Sequence, residues 1–140
     1  MHIVKKLFEK TIDMTEKTRP LSHKQEHEII ELFSELGMPK NMAKTLLYIS
    51  QVDQCRSVDI EKQTNLLQPQ VSVAIQELRK RGWVEKQDMK KKGKGRPVHH
   101  YKLTKKLSRI VSTFEQQKLK EIQEINQNVN ELKALIQERT

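Results

Sequence analysis

Residues 59–86 read DIEKQTNLLQPQVSVAIQELRKRGWVEK, and the turn residues within them decide the architecture. Asn65 tolerates the left-handed conformation and closes a short helix over VDIEKQTN, residues 58–65, with Ser57 expected as its cap. Pro69 suits the first turn of a helix, where its missing N–H would have no partner anyway. A helix is predicted over 69–81, its buried stripe being Val71, Ile75 and Leu78 at i, i+4 and i+7. Gly82 ends it. Trp83-Val84-Glu85-Lys86 then reads as a strand, QDMKKKGKGRP (87–97) as a charged turn, and Val98–Leu103 as the returning strand. Val98, His100 and Lys102 fall on one face of that strand and His99, Tyr101 and Leu103 on the other.

Working outward, Pro39 opens a helix reaching about Gln51, with Met42, Ala43, Leu46, Leu47 and Ile49 apolar. Before it, Ser22 and Gln25 form a capping-box pattern. The helix they start has Ile29, Ile30, Phe33 and Leu36 as its apolar face, and Gly37 stops it. Residues 2–17 read as a short amphipathic helix broken at Arg19-Pro20. Thr104 is expected to cap a terminal helix running nearly to Thr140. The organisation is N-terminal helices over 1–36, a helix-turn-helix with a hairpin over 37–104, and a long helix over 105–140. The fold class is mostly α with a small β-hairpin.

A short helix, a tight turn, a second helix and a hairpin present that second helix to a DNA major groove, which is about 12 Å wide and admits one helix. With Val71, Ile75 and Leu78 inward, Gln68, Gln70, Ser72, Val73 and Gln76 face out. Solvated helix faces usually carry Glu and Lys; this one carries uncharged donors and acceptors with one small apolar group. Gln pairs bidentately with adenine, Ser reaches a base or phosphate, and Val touches a thymine methyl.

The charge distribution points the same way. Segment 79–106 holds twelve Lys or Arg against only Glu85 and Asp88, a net of +10, so the remaining residues carry −1 of the chain's +9. A concentrated basic block marks a polyanion site. Arg79 and Lys80 flank the outward face, and Lys90, Lys91, Lys92, Lys94 and Arg96 lie on the turn between the strands. Lysines there would neutralise phosphates without reading sequence, and an arginine at the tip suits a narrow, electronegative minor groove.

Residues 59–86 and GKGRPVHHYKLT (93–104) together resemble the winged-helix DNA-binding domain of the MarR, TrmB and ArsR regulators, particularly the stand-alone archaeal-like ones. The resemblance runs from about Leu36 to Thr104, roughly half the chain. It implies that Gln70, Ser72, Val73 and Gln76 lie where such proteins read bases or phosphates, and that Arg96 enters the minor groove. The chain departs from the family pattern at three positions. Glu61 stands where alanine is usual, Asn65 where glycine is usual, and Leu67 near the usual Ser or Thr cap.

In the terminal helix Leu107, Val111 and Phe114 are followed by Ile122, Ile125, Val129, Leu132 and Ile136, the second group in steps of 3, 4, 3 and 4. That is a heptad seam, and it passes Lys118 with the spacing of a stutter. Such a seam predicts a coiled-coil-like homodimer interface, the alternative being packing within one copy against residues 2–36.

Other chemistry is thinly represented. His23 and His27 stand at i, i+4 without a third ligand, and His99 and His100 point to opposite faces, so no metal is expected. Arg56 could lower the pKa of Cys55, the single cysteine, which otherwise reads as an inert thiol in a reducing compartment. Trp83 and Tyr101 read as hairpin packing. No paired carboxylates, nucleophile elbow or phosphate loop appears, so neither enzyme activity nor a cofactor is expected. There is no run of roughly 18 apolar residues and no secretory h-region at the start, so a cytoplasmic protein is expected. The expected function is sequence-specific double-stranded DNA binding by a homodimeric transcription regulator on an inverted repeat, with helix 69–81 in the major groove and wing 87–97 on the backbone and minor groove. The alternatives are a protein–protein adaptor and a chromatin-like binder without sequence preference.

Overall fold

A computed structural model describes residues 21–89 and 98–139. The expected helix over 2–17 and the tip of the hairpin lie outside the described residues. The elements run α1 (His23–Glu35), α2 (Lys40–Ser50), α3 (Ser57–Thr64), α4 (Gln68–Lys80), β1 (Val84–Met89), β2 (Val98–Leu103) and α5 (Leu107–Glu138). The chain divides into two compact units, residues 1–107 and 108–140.

The capping box at the start of α1 forms as the sequence predicts. Ser22 Oγ accepts from the Gln25 N–H at 3.2 Å, and Gln25 Oε1 accepts from the Ser22 N–H at 3.0 Å. Of the expected apolar face, Phe33 is buried and Ile29 and Ile30 are half-buried. Leu36 is instead exposed, because the chain leaves the helix there and Gly37 turns it with φ 96°. Lys40 at the start of α2 pairs with Glu31 of α1 at 2.8 Å, and its ammonium holds the Glu31 carboxyl below its usual range.

The first unit is organised around α2. Met42, Ala43, Leu46, Leu47 and Ile49 are all buried, because α1, α3, α4 and β2 all pack against it. Thr45 is also buried, and its hydroxyl donates to the Asn41 carbonyl one turn back at 2.8 Å, which removes the cost of an unpaired polar group.

The cap of α3 differs from the expectation. Arg56, not Ser57, holds the N-cap position, and Asp59 supplies the capping group, its carboxylate accepting the Arg56 N–H at 2.9 Å. Asp59 is held below the usual carboxylate range by that N–H and then by the Arg56 guanidinium. Asn65 adopts the left-handed conformation (φ 58°) and ends α3 as expected. Gly82 does the same after α4, with φ 77°.

Strands β1 and β2 pair antiparallel with Val84 opposite Leu103 and Met89 opposite Val98. Strand β1 is longer than the predicted 83–86. Gln87 pairs with His100 and Asp88 with His99, so the ladder takes in the first residues of the expected turn. Trp83 is fully buried at the base of the hairpin. Thr104 does not cap α5. Its N–H donates to the Trp83 carbonyl at 3.0 Å and its hydroxyl to the Gly82 carbonyl at 2.6 Å, so it ties the end of β2 to the start of β1. Cys55 adds a single bridge on the other edge of β2: its N–H donates to the Tyr101 carbonyl at 3.0 Å and the Tyr101 N–H to its carbonyl at 2.7 Å.

In the second unit α5 is one helix of 32 residues. Ile110 and Phe114, at i and i+4, are its buried residues, while Val111, expected on the same side as Phe114, is exposed. No helix among the described residues is long and apolar enough to cross a membrane.

Candidate nucleic-acid interface

The turn between α3 and α4 fixes how α4 is presented. The buried Leu66 anchors it, and the Leu66 N–H reaches the Thr64 hydroxyl at 3.4 Å. Helix α4 starts one residue earlier than predicted, with Pro69 in its first turn, and Leu67 at the N-cap has no capping side chain. Gln70 takes over that role, its Oε1 accepting the Leu67 N–H at 2.9 Å. Val71, Ala74, Ile75 and Leu78 are buried. Ala74 belongs to the stripe, although a stripe drawn at i, i+4 and i+7 passes over it.

At 100° per residue, the line opposite that stripe is Pro69, Val73, Gln76 and Lys80. Gln68, Ser72 and Arg79 form one flank; Gln70, Glu77 and Arg81 form the other. Gln76 and Val73 are therefore the most prominent of the predicted readers, and Val73 is 62% exposed. Ser72 is half-buried at the edge. Gln70 is exposed with its amide NH2 uncommitted, while its oxygen already accepts one hydrogen bond in the helix cap. Two residues on this surface were missed. Leu67 is 69% exposed at the head of α4, and Glu77 puts one exposed carboxylate among the cations. The signal for Leu67 was the apolar residue in a cap position.

The two acids of the basic segment are matched across the hairpin: Glu85 with Lys102 at 3.2 Å, and Asp88 with His99 Nδ1. Arg79, Lys80 and Lys86 make no ion pair among the described residues. Arg81 differs, its guanidinium lying 5.2 Å from the Trp83 ring centroid. Lys90, Lys91, Lys92, Lys94 and Arg96 lie outside the described residues.

Cys55 is 3% exposed, and burial pushes its thiol up to about 11. Arg56 does not lower it, because that guanidinium turns to Asp59 at 3.5 Å, and the buried thiol agrees with the inert reading. The thiol lies 3.8 Å from the Tyr101 carbonyl. A cleft of about 330 Å³ opens between α1, α2 and the end of α3, with His23, Glu26, Lys44, Tyr48 and Gln63 in its lining. Sequence reasoning did not find it because its walls come from three separate helices.

On α5 the seam residues Ile122, Ile125, Val129, Leu132 and Ile136 are 43–59% exposed, and Leu119 and Leu135 widen the apolar face. Lys118, where the seam spacing stutters, is satisfied within the helix, with its ammonium 3.1 Å from Glu121 and 5.1 Å from the Phe114 ring centroid.

No family model matches the sequence, and no curated protein matches it either. Solved structures do. One is TrmBL2, an archaeal chromatin protein whose structure shows a novel mode of DNA binding. It is 14% identical with a TM-score of 0.60 over 79% of this chain, which spans only 40% of that protein. Another is a possible transcriptional regulator from Methanosarcina mazei, 14% identical, TM-score 0.57, covering 76% of this chain and 88% of that one. The chain has the winged-helix fold. Within that fold α3 and α4 form the helix-turn-helix and the β1–β2 hairpin is the wing, and the predicted residues Gln68, Gln70, Ser72, Val73, Gln76, Arg79 and Lys80 all lie on α4.

Proposed function

We propose that this winged helix binds double-stranded DNA sequence-specifically and regulates transcription as a cytoplasmic homodimer on an inverted repeat. The observation that carries the reading is the outward face of α4. Gln68, Val73 and Gln76 there are exposed and uncharged, and Arg79, Lys80 and Lys86 follow without ion-pair partners among the described residues. Bases are read by neutral donors, acceptors and methyl contacts, whereas phosphates are met by cations, and the two chemistries are segregated along one surface. In the sequence five further cations, Lys90, Lys91, Lys92, Lys94 and Arg96, lie between β1 and β2. The exposed seam of α5 supplies the surface that joins two copies.

The test is selection of bound sites from a random DNA pool, followed by competition of the selected site against random duplex. A palindromic consensus that random DNA displaces poorly is the expected result. Binding without enrichment would refute sequence specificity. One observation favours a second reading, a DNA coat without sequence preference: Gln70, one of the predicted amide readers, engages its oxygen in the helix cap. The same competition separates the two.

A further inference from the structure

The seam of α5 carries more information than the existence of a dimer. Its residues alternate strictly between two heptad positions. Ile122, Val129 and Ile136 occupy position a; Ile125 and Leu132 occupy position d. All five are exposed, and Lys118 and Arg139 stand at the d positions on either side. The seam therefore holds three a residues and two d residues between cations.

That odd count separates the two ways in which two copies can pair. Parallel helices stack a on a and d on d, so all five layers are apolar. Antiparallel helices stack a on d, so three a residues cannot all find one of two d residues. In the register that pairs Ile122 with Leu132, Ile136 falls opposite Lys118. In the register that pairs Ile125 with Ile136, Ile122 falls opposite Arg139. Either way each copy sets one isoleucine against a cation. Moreover, every a residue is β-branched and Leu132 fills one of the two d positions beside Ile125, close to the parallel two-stranded pattern of β-branched a with Leu at d.

The flanking charges agree. In a parallel pair Glu121 at position g meets Asn126 of the second copy, and Asn128 meets Lys133, so each charge faces an amide. The first antiparallel register sets Glu121 against Leu135 and Leu119 against Lys133, charge against aliphatic in both cases. Lys118 itself is drawn back within its own helix by Glu121 and Phe114, which marks where the apolar seam begins.

We infer that α5 pairs with α5 of a second copy of this chain as a parallel two-stranded coiled coil whose apolar layers run from Ile122 to Ile136. This rests on the homodimer reading above and adds its orientation. The consequence is topological. Both copies of residues 21–107 are tethered at the same end of the coil, and its two-fold axis runs along the coil, which suits two half-sites in inverted orientation.

The experiment uses the full chain with Cys55→Ala, or with Cys55 retained as a buried thiol if that variant folds poorly. Sedimentation gives the assembly state. Arg139→Cys is oxidised to test cross-linking, and Gln116→Cys carries a nitroxide for distance measurement. A dimer that cross-links at 139, with label separations below about 20 Å at 116, is the expected result. Antiparallel pairing would separate the 116 positions by about 33 Å or more, from a rise of 1.5 Å per residue on both sides of the crossing point, and would leave 139 uncross-linked. A dimer with that second pattern overturns the parallel arrangement and leaves the homodimer standing. A monomer overturns both.

Discussion

Gln70 links the fold of α4 to its proposed chemistry, and two substitutions separate its roles. Its Oε1 accepts the Leu67 N–H at 2.9 Å at the head of α4. Gln70→Ala removes that acceptor. A hydrogen bond of this kind contributes about 0.5–1.5 kcal/mol net, and the exposed position favours the lower end. At about 4–8 °C per kcal/mol for a domain of this size, the melting temperature should fall by roughly 2–6 °C. Gln70→Glu keeps an acceptor and places a negative charge at the positive end of the helix, which contributes about 0.3–1 kcal/mol. That variant should melt at or above the wild-type temperature, yet bind every DNA sequence more weakly, because a carboxylate now faces the phosphates.

Discrimination between sequences divides differently. A bidentate amide–adenine pair needs both the oxygen and the NH2, and is worth about 1–3 kcal/mol. Gln76 is exposed on the outermost line of α4, whereas Gln70 stands on the flank with its oxygen engaged. Gln76→Ala should therefore reduce the preference for the selected site about 5- to 150-fold, and Gln70→Ala clearly less. Thermal unfolding followed by circular dichroism and fluorescence-anisotropy competition measure both quantities. If Gln70→Ala left the melting temperature unchanged, the cap bond would contribute nothing. If Gln70→Glu lost stability but kept full DNA affinity, α4 would not face DNA with this flank.

Three further outcomes are expected. Replacing Lys90, Lys91 and Lys92 with Ala should weaken binding to all sequences about equally and flatten the plot of log affinity against log salt by about 0.9 for each phosphate no longer neutralised; an unchanged slope would remove the wing from the interface. Cys55, with its thiol at about 11, should resist thiol reagents at pH 8 in the native protein and react once the protein is unfolded. Because its folded pKa lies above the ordinary value of 9.0, the stabilisation it reports is present below pH 9 and lost between about pH 9 and 11, which an alkaline melting series checks and Cys55→Ala should blunt. Ile125→Asp combined with Leu132→Asp should give a monomer by light scattering that still binds a single half-site; a dimer surviving both changes would move the interface off α5.

The helix boundaries were legible wherever one residue carries a local conformational demand. Asn65 and Gly82 take positive φ because the chain must leave a helix there, and Ser22 with Gln25 forms its box from four consecutive residues. Caps made by a side chain reaching back were not legible. Asp59 and Gln70 each serve a residue three positions earlier, and a sequence pattern that looks for Ser or Thr in the cap position passes over both. Thr104 was misplaced for a related reason: its partners, Gly82 and Trp83, are more than twenty residues away, and only the hairpin register brings them together. On α5, period alone set Val111 beside Phe114, but Ile110 is the buried residue. A step of 3 and a step of 4 both keep residues on one helix face, and the choice between them needs the packed structure.

The division of labour along the chain explains why so little of the interface is costly to fold. Residues that read bases must project, so they contribute no burial; α4 offsets this by fully using its other face, with Val71, Ala74, Ile75 and Leu78 all inside. Cations crowded on one surface repel one another, and the fold relieves this by matching Glu85 with Lys102 and Asp88 with His99 on the hairpin itself. The cost that would remain is affinity, since in the proposed complex one helix face and one wing would touch only a short stretch of duplex. In the proposed homodimer, joining two half-sites through α5 would make the second binding event intramolecular and would raise avidity by about 10²- to 10⁴-fold without enlarging the surface that meets DNA. In the proposed complex, tight and specific binding would therefore depend on the α5 seam as well as on Gln76, although no residue of the seam would touch DNA.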